Sequence, residues 1–265
     1  MNTSSAFFVI SNFNTDPYQL VGYCDSYRII DQSDNQDIAS FLTGRNDENL
    51  SFTKNTGTSL INYLDYIIQE YENLPPLIAF LKGNVIGRHI NKTEFEKRIT
   101  NNWYTYLWDE KLPREVNGRN YKPQNNSFLE YNNSWYVPLS HHRYFISFDH
   151  FMEFFFQNYE RSQLIDFCPG ACFLVESGRI TQHPRALYVA LREAISYEFF
   201  PSEAWMVERS LNMIFTGDLI TNSWIQNDSE ARSALNSLSD KTGLYISPPG
   251  PLKAIREALR SLLTG

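Results

Sequence analysis

The chain has 265 residues, 42% hydrophobic and 20% charged, with a formal net charge of −7. This composition suits a packed globular protein of one large α/β domain or two small ones, and excludes a disordered chain. The acidic balance, with no Lys/Arg cluster longer than a pair, argues against nucleic acid or an anionic membrane surface as a partner.

In chain order, AFFVI at 6–10 reads as a buried strand that stops at the polar SNFNTD. YRIID at 27–31 reads as a second strand, and the Asp-, Asn-, Ser- and Thr-rich residues 32–58 as one long loop. Leu60, Leu64, Ile67, Ile68 and Tyr71 recur at helical spacing, with Thr58 or Ser59 to cap the start and Pro75-Pro76 to end the helix. LIAFL at 77–81 is apolar throughout, as a central parallel strand is. A charged helical piece is expected at 91–112, an aperiodic Asn-rich stretch at 117–134, and an edge strand at WYVPL. A Phe-rich helix at 147–159 precedes a short buried strand, ACFLV at 171–175. Helices follow at HPRALYVALREAISYE and at PSEAWMVERSLNMIF, then a small polar helix, a turn at SPPGP and an amphipathic helix at 251–263. Strand, strand, helix, strand in the first part argues for an α/β sheet around a crossover unit.

The three cysteines, Cys24, Cys168 and Cys172, form no disulfide framework and no CxxC pair, so a reducing, cytoplasmic location is expected. The first residues have no basic n-region, which argues against a signal peptide, and no segment has the run of apolar residues a membrane helix needs. Neither common Gly-rich phosphate loop is present, nor GxSxG, nor HExxH. His141-His142 and Asp149-His150 are poor joint ligands, and no protein-only metal site is expected.

Ligands of open α/β sheets bind at the carboxyl ends of strands, which draws attention to three segments. Lys82-Gly83-Asn84 ends the third strand; it can be an ordinary turn, or a glycine that lets backbone approach a ligand beside a phosphate-neutralising lysine. Asp31 and Asp34 after the second strand, and Asp16 after the first, are either turn-forming or hydroxyl-binding carboxylates. In the PSEAWMVERSLNMIF helix, Ala204, Glu208, Leu211 and Phe215 share one face. Glu208 on that face is either half of a structural ion pair, with Arg185, Arg192 or the surroundings of Arg209, or a general base. Glu203, at the start of the helix, is either a charge suited to the helix dipole or that base.

Six segments in register resemble a family catalogued as a domain of unknown function in fungi and bacteria. They are SNFNTD (11–16), NTGTS (55–59), YLDYIIQEYENLPP (63–76), FLKGN (80–84), PGACFLVESGRITQHPRALY (169–188) and ERSLNMIF (208–215). The family's Arg-Glu pair is replaced by Thr58-Ser59, and its tryptophan by Leu211. The family is similar to glycosyltransferases of the GT-A type, including a xylosyltransferase of a large DNA virus.

The resemblance implies a GT-A-like (Rossmann-like), mixed but mostly parallel sheet flanked by helices. Residues 1–220 would form the catalytic domain, with a nucleotide-sugar half at 1–90 and an acceptor half at 135–220, and 221–265 a C-terminal helical extension. Its donor, a UDP-sugar by preference, would contact Ser11, Asn12, Asp16 and Asp31 from the first two strands. Asn55 and Gly57 would contact it too, as would Lys82, Gly83 and Asn84. Gly170, Ala171 and Phe173 would face a glycan acceptor, and Glu208 or Glu203 would take the proton of its hydroxyl in an inverting transfer. No Asp-x-Asp stands near Lys82, so Lys82 with Arg88 or Arg179 is expected to offset diphosphate charge, and metal-independent chemistry is favoured over a divalent ion. The competing expectation is a non-catalytic carbohydrate-binding or assembly protein on a decayed transferase fold.

Overall fold

The computed structural model describes residues 4–56, 58–109, 122–124 and 127–242. The expected α/β class holds. Strand β1 (Phe7–Asn12) leads through the single turn α1 (Tyr18–Val21) to β2 (Tyr27–Asp31), α2 (Gln36–Thr43) and β3 (Leu50–Phe52). Helix α3 (Thr58–Glu70) crosses over to β4 (Leu77–Lys82), followed by the kinked turn α4 (Val85–Arg88), α5 (Lys92–Arg98) and β5 (Thr105–Tyr106). Strands β6 (Lys122–Gln124) and β7 (Ser127–Tyr131) come next, then α6 (Phe148–Phe155), β8 (Leu164–Phe167) and β9 (Phe173–Glu176). The rest is helical: α7 (Ser177–Thr181), α8 (Arg185–Ile195), α9 (Ser202–Thr216) and α10 (Asp228–Thr242).

The main sheet has six strands in the order β3-β2-β1-β4-β9-β5. Strands β3, β2, β1 and β4 are parallel, and β9 runs antiparallel between β4 and β5. Both faces are covered, which explains the unbroken apolar runs of β1 and β4. Side chains alternate across the pleat: Val9, Ile78 and Phe80 join a core with α3, α6, α8 and α9, while Phe8, Ile10, Ala79 and Leu81 join a second core with α1 and α5.

A smaller antiparallel sheet, β6-β7-β8, lies beside α9. Its central strand carries Glu130, whose Oε2 accepts from Arg209 Nε of α9 at 2.6 Å. The guanidinium is enclosed by rings, with Phe167 at 4.5 Å, Tyr136 at 4.8 Å and Trp205 at 5.2 Å.

The structure corrects five expectations. The supposed loop 32–58 contains α2 and β3. Asn35 caps α2 by accepting from the N–H groups of Asp37 and Ile38, and β3 continues the sheet beside β2. WYVPL is not an edge strand; Val137–Leu139 form a 3-10 turn with Pro138 near its start. The helix at 91–112 spans only Lys92–Arg98 before the chain turns into β5. The aperiodic stretch supplies β6 and β7, while α6 ends at Phe155, where the Gln157 N–H is taken by the Ile220 carbonyl. The SPPGP turn and the helix expected at 251–263 lie outside the described residues. Among the described residues no helix is long and apolar enough to cross a membrane.

Candidate functional site

Strand order reverses between β1 and β4, because the chain builds outward through β2 and β3 and then returns to the other side of β1. Open α/β sheets form a crevice at the carboxyl ends of such strands. A cleft with a volume of about 100 Å³ lies there. Ser11 and Phe13 line it from the end of β1, Gln32 from β2, and Lys82, Gly83 and Asn84 from β4. Asn55, Thr58 and Ser59 line it at and before the start of α3, Arg88 at the end of α4, and Phe199 and Phe200 from the loop between α8 and α9.

The chemistry of this lining is one-sided. Among the described residues it holds two cations, several amides and hydroxyls, three phenyl rings and no carboxylate, in a chain of net charge −7. Helix α3 starts at the cleft, so the positive end of its dipole lies on the same lining as Lys82 and Arg88, with the Leu60 N–H donated to Thr58 Oγ1 at 3.4 Å. Thr58 holds φ 66°, a left-handed conformation that is costly for a β-branched residue and recurs at functional sites. Ser11 Oγ accepts from Asn62 Nδ2 at 2.8 Å and donates to Gln32 Oε1 at 3.5 Å, which ties two lining residues together.

Of the residues expected to contact a donor, Ser11, Asn55, Lys82, Gly83 and Asn84 line this cleft. Asn12 and Asp31 are buried beneath it instead. Asn12 Nδ2 donates to Asp31 Oδ1 at 2.8 Å and to the Thr15 carbonyl at 2.9 Å, and Ser33 Oγ donates to the same Asp31 oxygen at 2.7 Å. They brace the strand ends. Gly83 packs on this brace, where an added Cβ would collide with Asn12 Oδ1 and lie 2.8 Å from Thr15 Oγ1. Asp16 accepts from the Tyr18 N–H, and Asp34 accepts from Asn14 Nδ2 at 2.7 Å, both as loop fasteners. Gly57 lies outside the described residues. Arg179, on α7, follows the β9 end that pairs with Leu77, at the opposite end of the sheet from the cleft.

The two carboxylates of α9 have different surroundings. Glu203 is 0% exposed, and its Oε1 accepts from the N–H groups of Arg143 and Tyr144, both at 2.8 Å. Its Oε2 accepts from Tyr197 Oη at 2.7 Å. Burial pushes this carboxyl above its ordinary value, against the pull of those donors. The Glu208 side chain is 18% exposed; its Oε1 accepts from the Gly170 N–H at 2.6 Å, and its Oε2 lies 3.5 Å from Arg209 Nη1. Arg185 and Arg192, the other suggested partners, pair with Asp228 and Asp65.

Glu208 is not among the lining residues, but one step removed from them. Gly170 at φ 88° lies so close to the His89 ring that a Cβ would overlap it, and His89 follows Arg88. Ala171 is also left-handed, at φ 51°. Phe173 faces away into the core, against Phe80 at 5.3 Å and Phe215 at 5.6 Å. Among the described residues no group of three or more His, Cys, Asp or Glu is placed to hold a metal ion.

Sequence reasoning missed Phe13, Gln32, Thr58, Ser59, Phe199 and Phe200 as lining residues. Gln32 was one residue past an acid that drew the attention, and Phe199-Phe200 before Pro201 carried a signal in retrospect: two aromatics in a loop between helices.

A family model described as "Protein of unknown function (DUF3431)" matches residues 25–229. No curated protein and no solved structure matches the chain.

Proposed function

We propose, for a chain that belongs to the DUF3431 family, that the cleft binds a nucleoside diphosphate sugar and that the protein is an inverting, GT-A-like glycosyltransferase acting on a glycan hydroxyl. The observation that carries this reading is the cationic, aromatic cleft at the strand-order reversal, with no carboxylate among its described lining residues. A diphosphate suits Lys82, Arg88 and the first N–H groups of α3; a base or sugar ring suits Phe13, Phe199 and Phe200. The mixed, mostly parallel sheet is compatible with the GT-A type.

In the proposed transfer the acceptor oxygen attacks the anomeric carbon. The bond from that carbon to the diphosphate oxygen breaks, and its electron pair leaves with the diphosphate. Lys82, Arg88 and the α3 terminus offset the charge that develops there. Glu208 takes the hydroxyl proton, since both oxygens of Glu203 are enclosed by donors and Glu203 is 0% exposed, while the Glu208 side chain is 18% exposed. With protein cations in this role, the reading favours transfer without a divalent ion, and a chelator should leave the rate unchanged.

The test is thermal unfolding with UDP, GDP and UDP-sugars. A nucleotide at 100 times its Kd should add about 2.7 kcal/mol. Lys82→Ala and Arg88→Ala should each remove most of that gain. A wild-type chain indifferent to every nucleotide would sink the reading.

One observation favours a second reading, carbohydrate or nucleotide binding without transfer: Glu208 Oε1 is already committed to the Gly170 N–H. Sugar-nucleotide turnover by the wild type, lost in Glu208→Gln with nucleotide binding intact, separates the two.

A further inference from the structure

Glu203 has no place in the proposed transfer, yet it is fully buried and both of its oxygens accept hydrogen bonds. We propose that Glu203 is a positioning residue, which through Tyr197 holds the Phe199–Phe200 wall of the cleft against the nucleotide sugar. This rests on the donor-site reading above and goes beyond it by assigning what sets the wall.

Three connections support it. Glu203 occupies the first turn of α9, and its carboxylate reaches back over the loop that enters the helix to accept from Tyr197 Oη at 2.7 Å. Tyr197 stands two residues before Phe199, so the anchor is on the same short loop as the wall. The other carboxylate oxygen accepts from Arg143 and Tyr144, which ties this loop to a second one. The second loop also grips the first from outside. The Arg143 guanidinium lies 4.6 Å from the Tyr197 ring centre, and the His141 carbonyl accepts from the Ser202 N–H at 2.7 Å. Phe200 then meets Trp205 of α9 edge-on at 5.0 Å, which fixes the far end of the wall on the helix that carries Glu203.

A buried carboxylate is costly unless its lone pairs are used, and here the donors come from both loops. Removing the Tyr197 hydroxyl leaves one oxygen of Glu203 without its donor and loosens the loop just before Phe199, which keeps the Arg143 contact and the His141–Glu198 pair. Replacing Glu203 by Gln keeps one acceptor oxygen for the two N–H groups and turns the other into a donor facing Tyr197. Tyr197→Phe and Glu203→Gln therefore disturb the wall without emptying the core. The charged and titratable groups facing Glu203 are Tyr197 on its own loop and Arg143 and Tyr144 on the other, with the His141–Glu198 pair at 3.0 Å bridging the two.

The experiment measures, by calorimetry, the Kd of whichever of UDP or GDP the wild type binds more tightly. Tyr197→Phe, Glu203→Gln, Phe200→Ala and the Tyr197→Phe/Phe200→Ala double variant are compared, each first shown to melt cooperatively. Tyr197→Phe and Glu203→Gln should each weaken binding roughly tenfold, the loss of one charge-assisted hydrogen bond expressed at the site. The double variant should lose less than the sum of the two single losses, because Tyr197 acts only through the wall to which Phe200 belongs. Wild-type affinity in both single variants, or additive losses in the double variant, overturns the inference while leaving the donor site standing. A wild type that binds neither nucleotide removes the donor-site reading and this inference with it.

Discussion

The parallel half of the molecule and the small antiparallel sheet are stabilised in different ways. Strands β1 and β4 hold their place by apolar contact on both faces, with Phe8, Val9, Ile78 and Phe80 at 0% exposure. The sheet β6-β7-β8 is fastened to α9 by a buried ion pair, Glu130 with Arg209, inside a box of aromatic rings. A core of the first kind loses stability in proportion to the volume removed, whereas one of the second kind depends on both charges being present.

That difference can be pressed hardest at Arg209. Arg209→Ala strands Glu130 as an uncompensated buried charge and should cost about 3–5 kcal/mol in urea unfolding. Replacing both partners by apolar residues of similar size should recover most of that loss, and failure to do so would mean that the pair is not what holds the sheet.

A smaller effect is expected in the parallel half at Gly83. Its added methyl meets Asn12 and Thr15, which are braced by Asp31, so Gly83→Ala should cost about 1–3 kcal/mol by overpacking and should also weaken nucleotide stabilisation. Unchanged melting would show that the brace gives way more easily than its hydrogen bonds suggest.

The subtlest effect lies at Glu203, in the first turn of the helix that carries Arg209. Its carboxyl is raised by burial, so between the ordinary carboxyl value and the raised one the native state binds more protons than the unfolded chain. Stability must fall as pH rises through that window. Glu203→Gln cannot titrate and should flatten that fall; parallel pH–stability curves for the two proteins would contradict the assignment.

The same contrast explains what was legible. β1, β2, β4, α3, α8 and α9 could be read because burial on a full face writes a period or a run into the sequence. The sheet β6-β7-β8 could not, since Glu130 at its centre looks like a surface residue until Arg209 is seen against it. In the cleft, Lys82, Gly83 and Ser11 followed from the rule that ligands sit beyond strand ends. Phe199 and Phe200 arrive from far along the chain; two aromatics in a loop between helices are a local signal, but nothing local says which strand ends they meet. Asp31 and Asn12 had the right position but the wrong direction: their side chains turn inward to each other.

Strand β9 carries one last implication. Because it runs against β4, pairing Phe173 with Phe80 and Glu176 with Leu77, the segment that leads into it, rather than the one that leaves it, emerges on the cleft side. Reversing a single strand thereby delivers Cys168 to Cys172 to the same rim as the segments following β1, β2 and β4. The molecule gains an extra edge for its crevice from a stretch that a uniformly parallel sheet would have sent to the far pole, and Gly170 meets Glu208 there for that reason.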